Sequence, residues 1–136
     1  MKHFKSIIIV LAIVFSLLPL NGQTNSNNSP LPPKVVEAVK KGNAAELKPF
    51  LNSRVELVLP EESGIYSKEQ AHFILKSFFE SHKVTSFRVL HHGTRQHATY
   101  AIGEYKCPQN QYRMYFLVKE VEGKPLIHQI RIEKQD

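Results

Sequence analysis

The chain has 136 residues, with 18 lysines and arginines against 12 acidic side chains and a formal net charge of +6. This length supports one domain with a single core and excludes two, and the absence of any block of like charge argues against a nucleic-acid-binding protein. Cys107 is the single cysteine, so an intrachain disulfide framework is impossible, and the thiol either pairs with a second chain or stays buried.

The first 22 residues predict an export signal. Lys2 and Lys5 precede an uncharged run, 6–18 (SIIIVLAIVFSLL), and a break that ends at Gly22. The run is shorter than the ~20 residues that a membrane-spanning helix needs, which favours a cleaved signal peptide. We therefore expect export to the periplasm or the medium with no stable membrane anchor after cleavage; the alternative is an uncleaved N-terminal anchor.

A polar segment, 23–31 (QTNSNNSPL), follows as a flexible linker, and the remainder, 32–136, is predicted to form one domain. Its double proline opens a helix that Gly42 ends. Asn43 caps a second short helix over 44–51.

A strand is predicted at 55–59 and a turn at 61–64, followed by the clearest element, a helix over 68–82. Ser67 and Gln70 have the spacing of a capping box, and apolar residues recur every three or four positions behind them. Four further strands are predicted at 85–92, 98–107, 111–122 and 125–133.

Four segments carry a resemblance to a known family. They are Gly64–Lys68 (GIYSK), Tyr100–Gly103 (YAIG), Tyr112–Leu117 (YRMYFL) and Ile130–Glu133 (IRIE). Together with the element order, they resemble an uncharacterised family of small exported bacterial proteins within the nuclear transport factor two-like, or cystatin-like cone, superfamily. The resemblance implies an α+β fold in which helices pack on a curved antiparallel sheet, and it implies no chemistry.

The predicted turns place Val118 opposite His128 on one neighbouring strand and opposite Ala101 on the other. Because side chains alternate along a strand, one face of the sheet then meets the helices, and a slip of one residue would exchange the two faces. The predicted inner face holds Thr99, Ala101, Gly103, Tyr105, Tyr112, Met114, Phe116, Val118, Leu126, His128, Ile130 and Ile132.

Five residues are candidates for a ligand site in the cone: His128, Glu56, Tyr105, Tyr112 and Phe116. His128 is the one ionisable residue on the inner positions of the last three strands, and Glu56 is the carboxylate best placed to reach the cone mouth. The alternatives are a histidine paired at the core edge, an exposed Glu56–Arg54 pair, and a cone filled by Phe50, Phe78, Phe79 and Phe116.

The outer face carries an aromatic and aliphatic patch inside a charged rim, which is typical of an interaction surface. Its predicted members are Tyr100, Ile102, Tyr115, Leu117 and Ile127. Related cone folds dimerise through this face, so the resemblance implies a homodimer. The alternative is a solvent-exposed sheet face on which tyrosine and arginine side chains form no interface.

No catalytic or metal-binding set is evident. Asp136 is the single aspartate, whereas the resemblance implies that enzymes of this fold depend on interior aspartates. Cys107 lies roughly 20 Å along its strand from the level expected for His128, and the histidines at 91, 92 and 97 lack a third ligand.

These observations predict an exported, non-catalytic binding domain that forms a homodimer and takes a small apolar ligand or an envelope protein, without cofactor, metal or nucleic acid. The alternative is an isomerase or hydrolase that uses Glu56 and His128 in the cone.

Overall fold

The computed structural model describes residues 31–136. The predicted signal peptide, 1–22, and nearly all of the predicted linker, 23–31, lie outside the described residues. Leu31, the last residue of that linker, is 1% exposed and belongs to the core. Within the described part of the chain, no helix has the length and apolar character needed to cross a bilayer.

Two short helices lead into the sheet. Helix α1, Pro33–Lys41, ends at Gly42, whose φ of +62° is the left-handed conformation that glycine adopts without strain. Helix α2, Ala44–Leu47, begins at Asn43, whose side chain accepts a hydrogen bond from the Glu46 amide at 3.1 Å. A 3₁₀ turn, Lys48–Phe50, replaces the rest of the expected helix because Pro49 cannot donate to the helical ladder.

The long helix α3, Lys68–Ser81, confirms the sequence prediction within one residue. The Ser67 hydroxyl accepts a hydrogen bond from the Gln70 amide, and the Gln70 side chain accepts one from the Ser67 amide, each at 3.2 Å. This capping box satisfies two amides that a helix start would otherwise leave unpaired.

Six strands form one open mixed sheet in the spatial order β2-β1-β6-β5-β4-β3. Strands β1 and β6 are parallel, and every other neighbouring pair is antiparallel. The strands are β1 Leu51–Val58, β2 Ser63–Ser67, β3 Ser86–Arg95, β4 Ala98–Lys106, β5 Gln111–Val121 and β6 Lys124–Gln135.

The β5–β6 register is as predicted over most of its length and differs at one end. Tyr115 lies opposite Arg131 and Leu117 opposite Gln129, but a bulge then shifts the register so that Val118 faces Ile127. The expected partner, His128, is the extra residue of this bulge. On β4, Val118 faces Thr99 instead of Ala101, a displacement of two residues that leaves the inner and outer faces unchanged.

The core lies between the helices and the inner face of the sheet. Ten of the twelve expected inner positions follow the predicted face: nine are buried, and Thr99 is half-buried. The exceptions arise at the bulge: Leu126 and His128 are half-buried outside the core cluster, and Ile127 is 1% exposed within it. The prediction that Ile127 belongs to the outer face is therefore wrong, because the inserted residue reverses the alternation at that point.

Candidate functional site

A cleft of about 360 Å³ opens at one end of the cone. It lies between the C-terminal half of α3, the β1–β2 turn, the β4–β5 turn and the end of β6. Its lining consists of Leu59, Pro60, Glu61, Glu62, Ile74, Ser77, Phe78, Ser81, His82, Asn110, Tyr112 and Lys134. The cone is thus packed in its interior and open at this mouth.

His82 ends α3 and is fixed by two contacts with the last helical turn. Its Nδ1 lies 3.1 Å from the Phe78 carbonyl oxygen, and its ring stacks on the Phe78 ring with centroids 4.4 Å apart and planes at 18°. A carbonyl oxygen can only accept, so Nδ1 carries the hydrogen in the neutral ring and Nε2 keeps a lone pair. This tautomer is assigned from the hydrogen-bond partners.

Ser81 completes this local network. Its hydroxyl donates to the Ser77 carbonyl at 2.9 Å, and its oxygen lies 3.0 Å from His82 Nδ1. The serine proton is directed at the helix backbone, so the oxygen is free to accept from Nδ1. Ser81 and His82 therefore close the helix end and do not form a nucleophile–base pair.

Aromatic rings form a rigid corner beside His82. Tyr112 stands nearly perpendicular to both His82 and Phe78, at 85° and 83°, with centroids 5.3 and 5.4 Å away. Behind them the Tyr105 hydroxyl donates to the His82 carbonyl. Burial raises the pKa of both tyrosines above the usual value, so both hydroxyls are protonated at neutral pH.

Charged side chains of both signs lie at the rim. Glu61 and Glu62 follow Pro60 in the β1–β2 turn, and Lys134 lies on β6. Among residues 31–136, neither Glu61 nor Lys134 has an oppositely charged side chain within ion-pair distance, and Glu62 accepts only a long 3.5 Å bond from Tyr66. These charges are available to a ligand.

The five predicted ligand residues separate into three locations. Tyr112 lines the cleft. Tyr105 and Phe116 are 0% and 1% exposed and belong to the core, where Phe116 packs edge-on against Phe87 at 6.2 Å. Glu56 and His128 lie elsewhere on the sheet, and neither lines the cleft.

Glu56 is on the outer face of the sheet, away from the cone mouth where we expected it. Its neighbours Val55 and Leu57 are both fully buried, so alternation points Glu56 outward. There it is exposed and accepts a hydrogen bond from Gln129 at 3.0 Å. It is not paired with Arg54, which the sequence left as the alternative.

His128 lies in the β6 bulge and not on the inner row. Its Nδ1 is 3.4 Å from the Asn52 side-chain nitrogen, and its buried Nε2 has no hydrogen-bond partner within the described chain. Because Asn52 also donates to the Arg54 carbonyl at 3.2 Å, Nδ1 is the acceptor and Nε2 carries the hydrogen. Burial, and then the charge of Lys119, lower the pKa of His128.

The outer face holds four of the five predicted interface residues. Tyr115 lies opposite Ile102 on one side and Arg131 on the other, and Leu117 lies opposite Tyr100. These form the central part of the outer patch, and Tyr100 is 43% exposed. Its rim carries charges of both signs, including Glu104, which lies within 3.5 Å of Arg88 and Lys106.

Sequence comparison then assigns the chain to a family. The pattern described as "Domain of unknown function (DUF4783)" matches residues 32–133. The chain belongs to the DUF4783 family. A DUF4783 protein of Bacteroides fragilis YCH46 is 37% identical with a TM-score of 0.74, over 77% of this chain and 99% of that one. One from Bacteroides uniformis ATCC 8492 is 36% identical with the same TM-score, over 78% and 98%.

More distant structures agree on the fold alone. An NTF2-like protein of unknown function from Shewanella baltica OS155 has a TM-score of 0.59 at 13% identity, covering 76% of this chain and 86% of that one. No curated protein sequence matches the chain. The predicted resemblance to an uncharacterised family is confirmed, and the fold is similar to the nuclear transport factor two-like and cystatin-like folds, as predicted.

Most of the cleft of this DUF4783 domain was not predicted from its sequence. Glu61, Glu62, His82 and Lys134 each lie at the end of an element, and no spacing along the chain joins them. The available signal was the acidic pair after Pro60 in a predicted turn. Its position beside α3 depends on the pairing of β1 with β2, and the sequence predicted a turn at 61–64 but no strand after it.

The DUF4783 domain presents no arrangement of three histidine, cysteine or acidic side chains suited to a metal ion within residues 31–136. Cys107 is a buried free thiol whose sulfur donates to the Asn110 carbonyl at 3.3 Å. This hydrogen bond lies within the β4–β5 turn, which Cys107 helps to stabilise.

His128 should make the stability of the DUF4783 domain depend on pH. Its folded-state pKa is lowered, so in the window below the ordinary histidine value of ~6.5 the unfolded chain binds a proton that the folded chain does not. The free energy of unfolding should therefore fall as the pH drops from about 7 to 5, by at most about 1.4 kcal/mol per pH unit from this group. Urea titrations at each pH measure the slope.

The variant His128→Gln, which stays neutral, should flatten this slope. Lys119→Gln removes the second cause of the lowered pKa and should give an intermediate slope. A His128→Gln protein with the full wild-type slope would contradict the assignment.

Proposed function

We propose that this DUF4783 domain is a non-catalytic binding module that takes a small ligand in the cleft at the end of α3. The observation that carries the proposal is a cleft of about 360 Å³ in which Glu61 and Lys134 have no oppositely charged side chain within ion-pair distance in the described chain. Small-molecule sites are typically concave and largely preformed; this one is unusually polar, since seven of its twelve lining residues are polar or charged. The aromatic corner and the His82 cap supply the fixed wall.

The rival, an enzyme that uses Glu56 and His128, has no support from the geometry. Glu56 is exposed on the outer face and bonds Gln129, and His128 sits in the bulge with Asn52. General acid–base chemistry needs its groups within reach of one bound substrate. Neither residue lines the cleft, and Ser81 is committed to the helix end.

A cleft-filling variant tests the binding function. Ser77 is exposed on α3 and lines the cleft, so Ser77→Trp fills it with little disturbance of the core. Lys76→Trp adds the same bulk on the same helix but outside this cleft. In amide-detected NMR screening with fragments of all charge types, wild type and Lys76→Trp should show shifts at Ser81 and His82, and Ser77→Trp should not. Shifts that survive in Ser77→Trp would refute the proposal.

We further propose that the domain forms a homodimer through the outer face. Two observations favour it: an exposed Tyr100 within an aromatic and aliphatic patch, and a rim with charges of both signs. A twofold interface places the same patch on both subunits, so the patch must be complementary to itself, and mixed charge allows this.

The substitution Tyr115→Glu should convert the dimer to a monomer. It places a carboxylate between Ile102 and Arg131 in the middle of the patch, where burial in an interface would leave the charge desolvated. Size-exclusion chromatography with light scattering measures the mass. Phe73→Glu is the control, because Phe73 is 64% exposed on α3, and it should stay dimeric. A monomeric wild type, or a dimeric Tyr115→Glu, would contradict the proposal.

We also propose export through the signal in residues 1–22. The uncharged run after Lys2 and Lys5 supports it. Sequencing the N-terminus of the processed protein, expected to begin at Gln23, tests it; a start at Met1 would refute it.

A further inference from the structure

Hydrogen-bonding capacity in the cleft is strongly one-sided. The carboxylates of Glu61 and Glu62 only accept, and so does the free Nε2 of His82, because Nδ1 holds the ring hydrogen. The Ser81 hydrogen is already directed at the Ser77 carbonyl. Against these, Lys134 is the single side chain in the lining that only donates. Ser77, Asn110 and Tyr112 can each donate as well as accept, so the lining side chains with a fixed role are three acceptors and one donor, which favours a ligand with more donors than acceptors.

The charge balance points the same way. Two carboxylates face one ammonium, and within residues 31–136 neither Glu61 nor Lys134 is neutralised by a neighbour. The negative charge of Glu61 also reaches into the cleft, since it contributes to the raised pKa of Tyr112. The cleft therefore favours a positive group over a negative one.

The aromatic corner supplies a surface for an apolar body beside that charge. His82 is half-buried, with its ring stacked on Phe78 and perpendicular to the Tyr112 ring at a centroid distance of 5.3 Å. Phe78 and Tyr112 are 5% and 4% exposed, so the rings keep their positions whether or not a ligand is present. The half-buried His82 ring, held by these two rings beside the carboxylates, is therefore the aromatic surface on which the apolar body of a cation can lie.

We propose that the cleft binds a small organic cation, a primary ammonium or guanidinium group carried on an apolar body. The ammonium hydrogens bond Glu61, Glu62 and His82 Nε2, and the apolar body lies against the aromatic corner and Ile74. The proposal rests on the binding function proposed above, and it adds the charge of the ligand to it. Lys134 opposes the cation and limits its affinity.

Three probes with one body test the charge: phenethylamine, 2-phenylethanol and phenylacetate, titrated at constant ionic strength while amide shifts of Ser81 and His82 are followed. Phenethylamine should bind most tightly and phenylacetate least. Replacing both rim carboxylates, Glu61→Gln with Glu62→Gln, should weaken phenethylamine binding by about tenfold or more. Lys134→Gln should tighten it about two- to fivefold.

The matched control is Glu46→Gln with Glu80→Gln, which removes the same charge outside the cleft and should leave the affinity within about twofold of wild type. Any of three results would overturn the proposal that the ligand is a cation. They are equal or tighter binding of phenylacetate, unchanged phenethylamine binding by the double rim variant, and no phenethylamine binding at millimolar concentration. If the neutral or anionic probe then shifted the Ser81 and His82 amides, the cleft would still be a binding site. The proposal of a binding cleft and the proposal of a cationic ligand can therefore fail separately.

Discussion

Phe78→Ala should destabilise the domain by about 3–5 kcal/mol. Phe78 is 5% exposed and its ring touches four others, those of Phe79, His82, Tyr105 and Tyr112, with centroids between 4.4 and 6.1 Å. Truncation leaves a cavity between the helix and the sheet, because the surrounding rings are held by their own contacts. It also removes the ring on which the helix-ending His82 stacks.

Chemical denaturation monitored by circular dichroism measures the change in the free energy of unfolding. Phe73→Ala is the matched control: the same substitution in the same helix, at a side chain 64% exposed, should cost under about 0.5 kcal/mol. A Phe78→Ala protein within about 1 kcal/mol of wild type would contradict the packing described for this cluster.

Gly103→Ala should cost about 1–3 kcal/mol although it adds a single methyl group. A Cβ at Gly103 would lie 2.4 Å from Phe87 Cε2, 2.6 Å from Phe87 Cζ and 3.2 Å from the Arg88 backbone oxygen. Phe87 is 4% exposed and packs against Phe116, so its ring has little room to move. Because Gly103 has no Cβ, the Phe87 ring can lie directly against β4.

Gly93→Ala provides the comparison. The new Cβ would also be too close to a ring, 2.6 Å from the Tyr100 hydroxyl oxygen, but Tyr100 is 43% exposed and can rotate into solvent. The cost there should be clearly smaller. A double-mutant cycle of Gly103→Ala with Phe87→Leu should show a favourable coupling of about 1 kcal/mol or more; strict additivity would mean that the Phe87 ring is not the obstacle.

Elements with a local signal were predicted well from the sequence. The capping box at Ser67 and Gln70, the left-handed Gly42 and the Asn43 cap are each decided by a few neighbouring residues, and each appears as expected. The meander of the last four strands follows from its turns. The β5–β6 register over Gln111–Leu117 was predicted from a turn at 122–124. The turn is in fact one residue tighter, with Val121 opposite Lys124, and the extra residue of the bulge restores the predicted register beyond it.

Features that depend on distant residues were not predicted. The bulge at His128 inserts one residue and exchanges the roles of Ile127 and His128, and no glycine or proline lies next to it in the sequence to indicate it. Strand β2 has only five residues and little buried area, so its pairing with β1 has a weak sequence signal. The cleft follows from that pairing, because the acidic turn between β1 and β2 forms its rim.

The spatial order of the strands has a consequence for how the domain folds. β6 is the last strand of the described chain, yet it lies inside the sheet and joins β1 to β5. Before β6 is made, β1 with β2 and the β3–β5 meander share no strand pairing, so the sheet exists only as two separate pieces. The parallel β1–β6 pairing closes a loop that spans most of the domain, which is a slow step because of its entropy cost. Folding should therefore follow synthesis of the last strand and should complete in one cooperative event.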